Sequence, residues 1–395
     1  MLSKSLVRRS PINHFDAVGI PPRMNYATAV RHRFRIIFAA SLLALAGYAH
    51  AAQETRSQIQ LHFDYAGART LFEVLNRRDL APQDFAELYK VQGLAAMVDN
   101  VTRFIPEITR REFEQHLLKF IETGKEPGHN GYVVWDFKQV LSTRSEVEQL
   151  IGKLEADEAR IVATTLRELE PFRPNTGPLT ITVYFVAGGV SDGFVPERSR
   201  EPALYVNLTR ARGDLDGVVS NLTHEIYHVM QQSASRRAGL GSIVDEQEKL
   251  APAQRLLATT LWEGSANYAA DPRRLDGSGQ YLEMWRDRFE QNTTPAKLAE
   301  HFELFETVLK DLQVGRTSWD DAYALGFAGP QSPFYFVGYE MTRLIDQRCG
   351  RPCVQQLFDK PPATFFQRYI EIYKQDPSIT IRFSPATEAW IAGQR

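Results

Sequence analysis

Asn221-Leu222-Thr223-His224-Glu225-Ile226-Tyr227-His228-Val229-Met230 contains the pattern H-E-x-x-H. Residues four apart share one face of an α-helix. On a helix, His224 and His228 therefore point at one place, with Glu225 beside them. Two imidazoles and a carboxylate are the equipment of a zinc hydrolase: two metal ligands, and a base that takes a proton from the attacking water. Three fixed letters also arise by chance on surface helices, so the neighbours have to decide. Asp214 and Asp216 are suitable N-caps. Val218, Val219, Leu222, Ile226, Val229 and Met230 recur at helical spacing, which reads as a buried amphipathic helix. Two histidines and a glutamate on such a helix need a reason, and a metal supplies one.

A catalytic zinc site needs a third protein ligand and an open position. A histidine six residues past His228 would fall at Ala234. The extended pattern that uses it also wants glycine where Gln231 stands. That class is excluded. The other solution is a glutamate on a following helix. Glu263, in Leu261-Trp262-Glu263-Gly264-Ser265-Ala266-Asn267-Tyr268, ends an apolar helical run, and zinc is a good partner for a buried carboxylate. Gly264, Ser265 and Ala266 are small enough to let this helix approach the first closely. Glu246 and Glu248 are rivals, but their stretch is charged and reads as solvated. Asn267, four residues after Glu263, could accept a hydrogen bond from a ligand imidazole and set its tautomer. A buried carboxylate bonded to tyrosine or backbone, and a polar helix end, are the plain alternatives for Glu263 and Asn267.

H-E-x-x-H followed by a helix carrying Glu-Gly-Ser-Ala resembles the gluzincin group of zinc metallopeptidases. The resemblance is greatest to zinc-dependent peptidases among exported bacterial proteins, and covers roughly Leu179–Arg348. It implies His224, His228 and Glu263 as zinc ligands, Glu225 as catalytic base and Zn2+ as cofactor. In such enzymes a tyrosine or histidine from the C-terminal part often stabilises the oxyanion. Ser332-Pro333-Phe334-Tyr335-Phe336-Val337-Gly338-Tyr339 offers Tyr335 and Tyr339 for that role, with ordinary core packing as the alternative, and Gly338 could allow close packing. His301 lies on an amphipathic helix with Phe302, Leu304 and Phe305 and reads as structural.

Upstream of the motif, Leu179–Ala187 and Ala203–Leu208 are rich in β-branched and aromatic residues and read as strands, separated by a glycine-punctuated loop. Sheet edges can take up an extended peptide as another strand, although the sequence does not say which strand is the edge. Ile59–Pro174 reads as mostly helical, with Ser145-Glu146-Val147-Glu148 as a capping box for a long helix to about Leu169. Pro171, Pro174 and Pro178 suggest a boundary. Downstream, helices are expected over Ala251–Ala270, Leu282–Gln291, Pro295–Leu312 and Phe334–Arg348. Thr317–Ser332 looks loop-like, and short helices close the chain. The expected fold is α+β and mostly helical. A zincin-like catalytic domain (175–395) would carry a small mixed sheet on the motif helix and a helical C-terminal subdomain, after a helical N-terminal region (52–174).

The first 51 of the 395 residues differ in texture. Arg31, Arg33 and Arg35 precede an apolar run from Ile36 to Tyr48, and Ala49-His50-Ala51 offers a small-x-small cleavage site. This reads as a secretory signal peptide, too short for a comfortable membrane span. Met24 would give a leader of normal length. The protein is therefore expected to be periplasmic or extracellular, beginning at Ala52 with no stable membrane anchor. The leader holds seven Lys/Arg and one Asp, leaving 39 basic and 47 acidic residues, a net charge of −8. That acidic balance argues against nucleic acid or an anionic membrane as partner. The only cysteines, Cys349 and Cys353, flank Gly350-Arg351-Pro352; export permits a local disulfide, and two free thiols are the alternative.

Three functions fit these residues. The first is an exported zinc metallopeptidase acting on peptides or unfolded protein. The second is a zinc hydrolase of a non-peptide amide, for example in a cell wall. The third is a non-catalytic zincin-like binding protein, against which the intact Glu225 argues. The N-terminal region could be a binding module, a lid or a propeptide.

Overall fold

Four strands make the sheet, and three of them run parallel. β1 (Ile59–Asp64) pairs with β2 (Leu179–Val186), with Ile59 opposite Leu179. β2 pairs with β4 (Ala203–Asn207), with Thr182 opposite Ala203. The short β3 (Gly193–Phe194) runs antiparallel to β4, giving the order β1-β2-β4-β3. The computed structural model describes residues 59–105, 107–129, 132–196, 201–240, 249–328 and 331–394. The leader and its cleavage site lie outside them, as do the rivals Glu246 and Glu248. The rest is mostly helical, so a small mixed sheet in a helical protein is what the α+β expectation required.

Parallel strands need a long crossover, and residues 65–178 supply it between β1 and β2. Within it, α1 (Ala66–Leu75) and α2 (Gln92–Phe104) pack against β2. α3 (Arg144–Leu169) packs against the motif helix, α4 (Leu215–Arg237). The region read as mostly helical thus also carries an edge strand of the sheet, and residues 57–395 form one compact unit. The capping box expected at Ser145 is absent. A short helix, Phe137–Ser142, runs almost directly into α3, which already begins at Arg144. Ser145 is then inside the helix, and Glu148 bonds Arg144 Nε at 2.7 Å instead.

α4 begins where Asp214 accepts from the Gly217 N–H at 3.0 Å, a cap of the expected kind. The same carboxylate accepts from the N–H groups of Tyr281 (3.0 Å) and Leu282 (2.9 Å), at the start of α6 (Gln280–Asn292). One aspartate therefore ties together the N-termini of two helices, each of which leaves its first N–H groups without an intrahelical partner. α4 is also more buried than an amphipathic helix would be. From Gly217 to Ser235 nearly every side chain is enclosed, polar ones included. A helix apolar on one face only would leave its opposite face in water; here sheet, α3 and further helices surround it.

Two more long helices complete the core: α5 (Pro252–Ala269), and α8 (Pro333–Cys349) after α7 (Pro295–Gln313). α5 and α8 cross closely through glycines. A Cβ on Gly264 would collide with the backbone of Gly338, and one on Gly338 with the carbonyl of Thr260. Gly264 was expected to admit the motif helix; it admits α8. Ser265 is the small residue that faces α4. The stretch expected to be loop-like contains a helix at Trp319–Tyr323 and a π-turn at Ala324–Ala328. Ser318 caps it by accepting from the Asp321 N–H, a local signal that the surrounding glycines obscured. Cys349 and Cys353 are joined as a disulfide.

Candidate active site

α4 and α5 bring three side chains together. His224 Nε2 and His228 Nε2 lie 3.0 Å apart. Glu263 Oε2 is 3.6 Å from the first and 3.3 Å from the second. Ligand atoms at about 2.0–2.2 Å around a tetrahedral zinc lie about 3.3–3.5 Å from one another, and the three separations bracket that value. Glu263 Oε2 is buried without a hydrogen-bond partner. A native protein rarely leaves such an atom unmatched, and a cation among the three atoms would match it. Burial works against the charge of Glu263, yet His228 and His224 outweigh burial and hold its carboxyl well below the usual carboxylate range. A protonated imidazole and a bound metal ion both supply that positive charge.

His228 is oriented from behind. Its Nδ1 is 2.7 Å from Gln231 Oε1. The Gln231 amide donates from Nε2 to the Trp262 carbonyl (3.0 Å) and to Ser265 Oγ (2.8 Å). Both partners lie on α5, so the amide orientation is settled by the network. Gln231 Oε1 then has to accept, His228 Nδ1 has to carry the proton, and Nε2 is left with a lone pair facing Glu263. Gln231 is fully buried. The Trp262 ring stacks on His228 at 4.6 Å between centroids. The hydrogen bond expected from Asn267 is therefore made by Gln231, which sits one turn after His228 on the same helix. Asn267 lines the cleft without bonding either imidazole among the described residues.

A cleft of about 840 Å³ opens over these residues. Glu225 faces it beside β3, where a Cβ on Gly193 would lie 2.8 Å from Glu225 Oε1. A larger residue there would make Asn221 or Glu225 shift. Asn207 anchors the approach to that strand: its amide donates to the carbonyls of Gly188 (2.8 Å) and Ser191 (3.1 Å). Burial pushes the Glu225 carboxyl up to about 8; His224 opposes this, and Glu263 and Asp192 add to it. A carboxyl perturbed in this way beside a cleft marks a candidate for proton transfer.

The two tyrosines separate. Tyr335 lines the cleft, and its phenol is raised well above the ordinary value by burial first, then by Glu263, Tyr323 and Glu225. It stays protonated and can donate. Tyr339 is turned away: its hydroxyl donates to Asp271 Oδ2 at 2.9 Å and accepts from Arg273 Nη2 at 2.8 Å. One helical turn separates the two residues, but Asp271 engages the hydroxyl of the second. His301 is structural as expected, with Nε2 3.0 Å from Asn292 Oδ1.

Several cleft residues carried no signal when the chain was read linearly. Asp192 and Asn221 are isolated letters in a loop and a helix. Tyr323 and Trp319 lay in the stretch read as loop. Trp285 and Arg288 lie one turn apart on α6, with only that spacing to single them out.

Residues 85–378, about three quarters of the chain, match the family described as "Putative zinc dependent peptidase (DUF5700)". The chain belongs to this family. No curated protein and no solved structure matches it. Zinc is the family's metal, and His224, His228 and Glu263 form a group able to hold it.

Proposed function

We propose that the chain is an exported metallopeptidase in which His224, His228 and Glu263 hold zinc and Glu225 is the general base. The observation that carries this reading is Glu263 Oε2, buried, unpartnered and within 3.6 Å of both imidazoles. Zinc held there supplies a Lewis acid that polarises the scissile carbonyl and acidifies water. Glu225 takes the proton of the attacking water and delivers it to the leaving amine. Gln231 keeps the His228 lone pair aimed inward. Tyr335, protonated and facing the cleft, is the donor for the developing oxyanion. β3 ends the sheet beside Glu225, so an extended peptide can lie along it by backbone hydrogen bonds. An antiparallel edge strand, a motif helix and a third ligand from the next long helix together support a zincin-like catalytic fold.

The test is a digest of a mixed peptide library by the chain from Ala52, with products read by mass spectrometry and Glu225→Gln alongside. New termini made by the wild type, lost with chelator and at least about 1,000-fold rarer with Glu225→Gln, are expected for an essential base. Bound zinc without any cleavage by the wild type would overturn the peptidase reading in favour of a non-peptide amide.

A further inference from the structure

Three arginines line the cleft, and Arg288 is the one whose charge is left over. Its Nε is buried with no hydrogen-bond partner. Among the described residues no carboxylate forms an ion pair with it. Asp192, the carboxylate that acts on it electrostatically, is engaged elsewhere. Tyr281 donates to Asp192 Oδ2 at 2.9 Å, and Arg210 Nε lies 3.7 Å from Oδ1. Arg288 is instead held by an aromatic ring, its guanidinium carbon 4.6 Å from the centroid of Trp285. Burial lowers its pKa, with Tyr335, Asp192 and Tyr281 opposing. A half-buried guanidinium without an anion is costly, and a ring beneath it fixes the plane of its donors. That arrangement is a preformed fork for a planar anion.

Its position says which anion. Arg288 and Tyr335 interact electrostatically, and Tyr335 interacts in turn with Glu225 and Glu263. Arg288 lines the same cleft as Tyr335, Glu225 and Glu263. We propose that Arg288 binds a carboxylate of the substrate, so that this peptidase selects peptides carrying a negative charge next to the scissile bond. The inference rests on the peptidase reading for the identity of the ligand. The carboxylate is either the free C-terminus of the peptide or an Asp/Glu side chain.

Binding tests this without turnover. Three probes are titrated calorimetrically into zinc-loaded protein: N-acetyl-Ala-Ala-Ala with a free carboxylate, its C-terminal amide, and N-acetyl-Ala-Glu-Ala amide. One carboxylate-bearing probe is expected to bind at least tenfold tighter than the neutral amide. Preference for the first probe assigns the C-terminus, and preference for the third assigns an acidic side chain. In Arg288→Met the preference should vanish. In Arg288→Lys, which keeps the charge and the fold but lacks the fork, it should fall several-fold. Equal affinity for all three probes in the wild type, or a preference that survives in Arg288→Met, overturns the proposal. Cleavage without carboxylate preference removes this inference and leaves the peptidase reading. Preference without cleavage of any peptide does the reverse.

Discussion

Gln231 shows how much one residue can decide. Its letter excludes the class of site that needs glycine at that position. In space its amide fixes the His228 tautomer and links α4 to α5 through Trp262 and Ser265. Replacing it with leucine keeps the volume and removes all three hydrogen bonds. Partners behind a ligand imidazole typically contribute 10–100-fold to metal affinity. Gln231→Leu should therefore weaken zinc binding by about that factor in a chelator competition. An unchanged zinc affinity would mean that packing alone orients His228. Tyr335 and Tyr339 make the complementary point. Both were equal candidates by spacing, and a neighbouring aspartate separates them. Nothing local to either tyrosine announces Asp271, which is far away in the chain.

At the scale of elements, the crossing of α5 and α8 bears on the place of Glu263. Glu263 sits beside Gly264, whose contact with Gly338 brings the two helices together. Gly338→Ala would drive a methyl group into the Thr260 carbonyl, which cannot rotate aside. Overpacking of this kind costs about 1–3 kcal/mol, and more where backbone is struck. Gly338→Ala should lower the melting temperature and displace Glu263, so that zinc affinity falls with it. Gly152 is the control. It lies inside α3 with nothing within 4 Å of an added Cβ, so Gly152→Ala should stabilise by about 0.5–1 kcal/mol. Thermal melts and zinc titrations of the two variants check both statements; a neutral Gly338→Ala would show that the crossing tolerates separation. The long periodic helices were legible because each buries an apolar face of its own. The helix at Trp319–Tyr323 was not, because its five residues are too few to show a period between flanking glycines.

For the whole molecule, the N-terminal region and the rest of the chain are bound through the sheet. β1 covers one edge of β2, and α1 and α2 lie against β2. Removing residues 52–174 would uncover β2, whose Ile181, Val183 and Phe185 are fully buried, and would strip α3 from the motif helix. A chain beginning at Asn175 is therefore expected to be insoluble or unfolded by circular dichroism and to bind no zinc specifically. A soluble, helical, zinc-binding fragment would show that the N-terminal region is an appendage.

The sequence by itself determined the chemistry that is local. H-E-x-x-H on a helix places the two imidazoles on one face because residues four apart recur there, with Glu225 on the flank next to them. Glu263 stood out as a candidate because it ends an apolar helical run, but only the packing of α5 on α4 brings it within 3.6 Å of both imidazoles. Tertiary structure alone decided what depends on distant neighbours: Gln231 rather than Asn267 behind His228, Tyr335 rather than Tyr339 in the cleft, β3 as the strand beside Glu225, and an Arg288 left without an anion. The reason is physical. A helix fixes the direction of its own side chains, but hydrogen bonds and buried charges are settled by whichever groups the fold brings within about 3 Å.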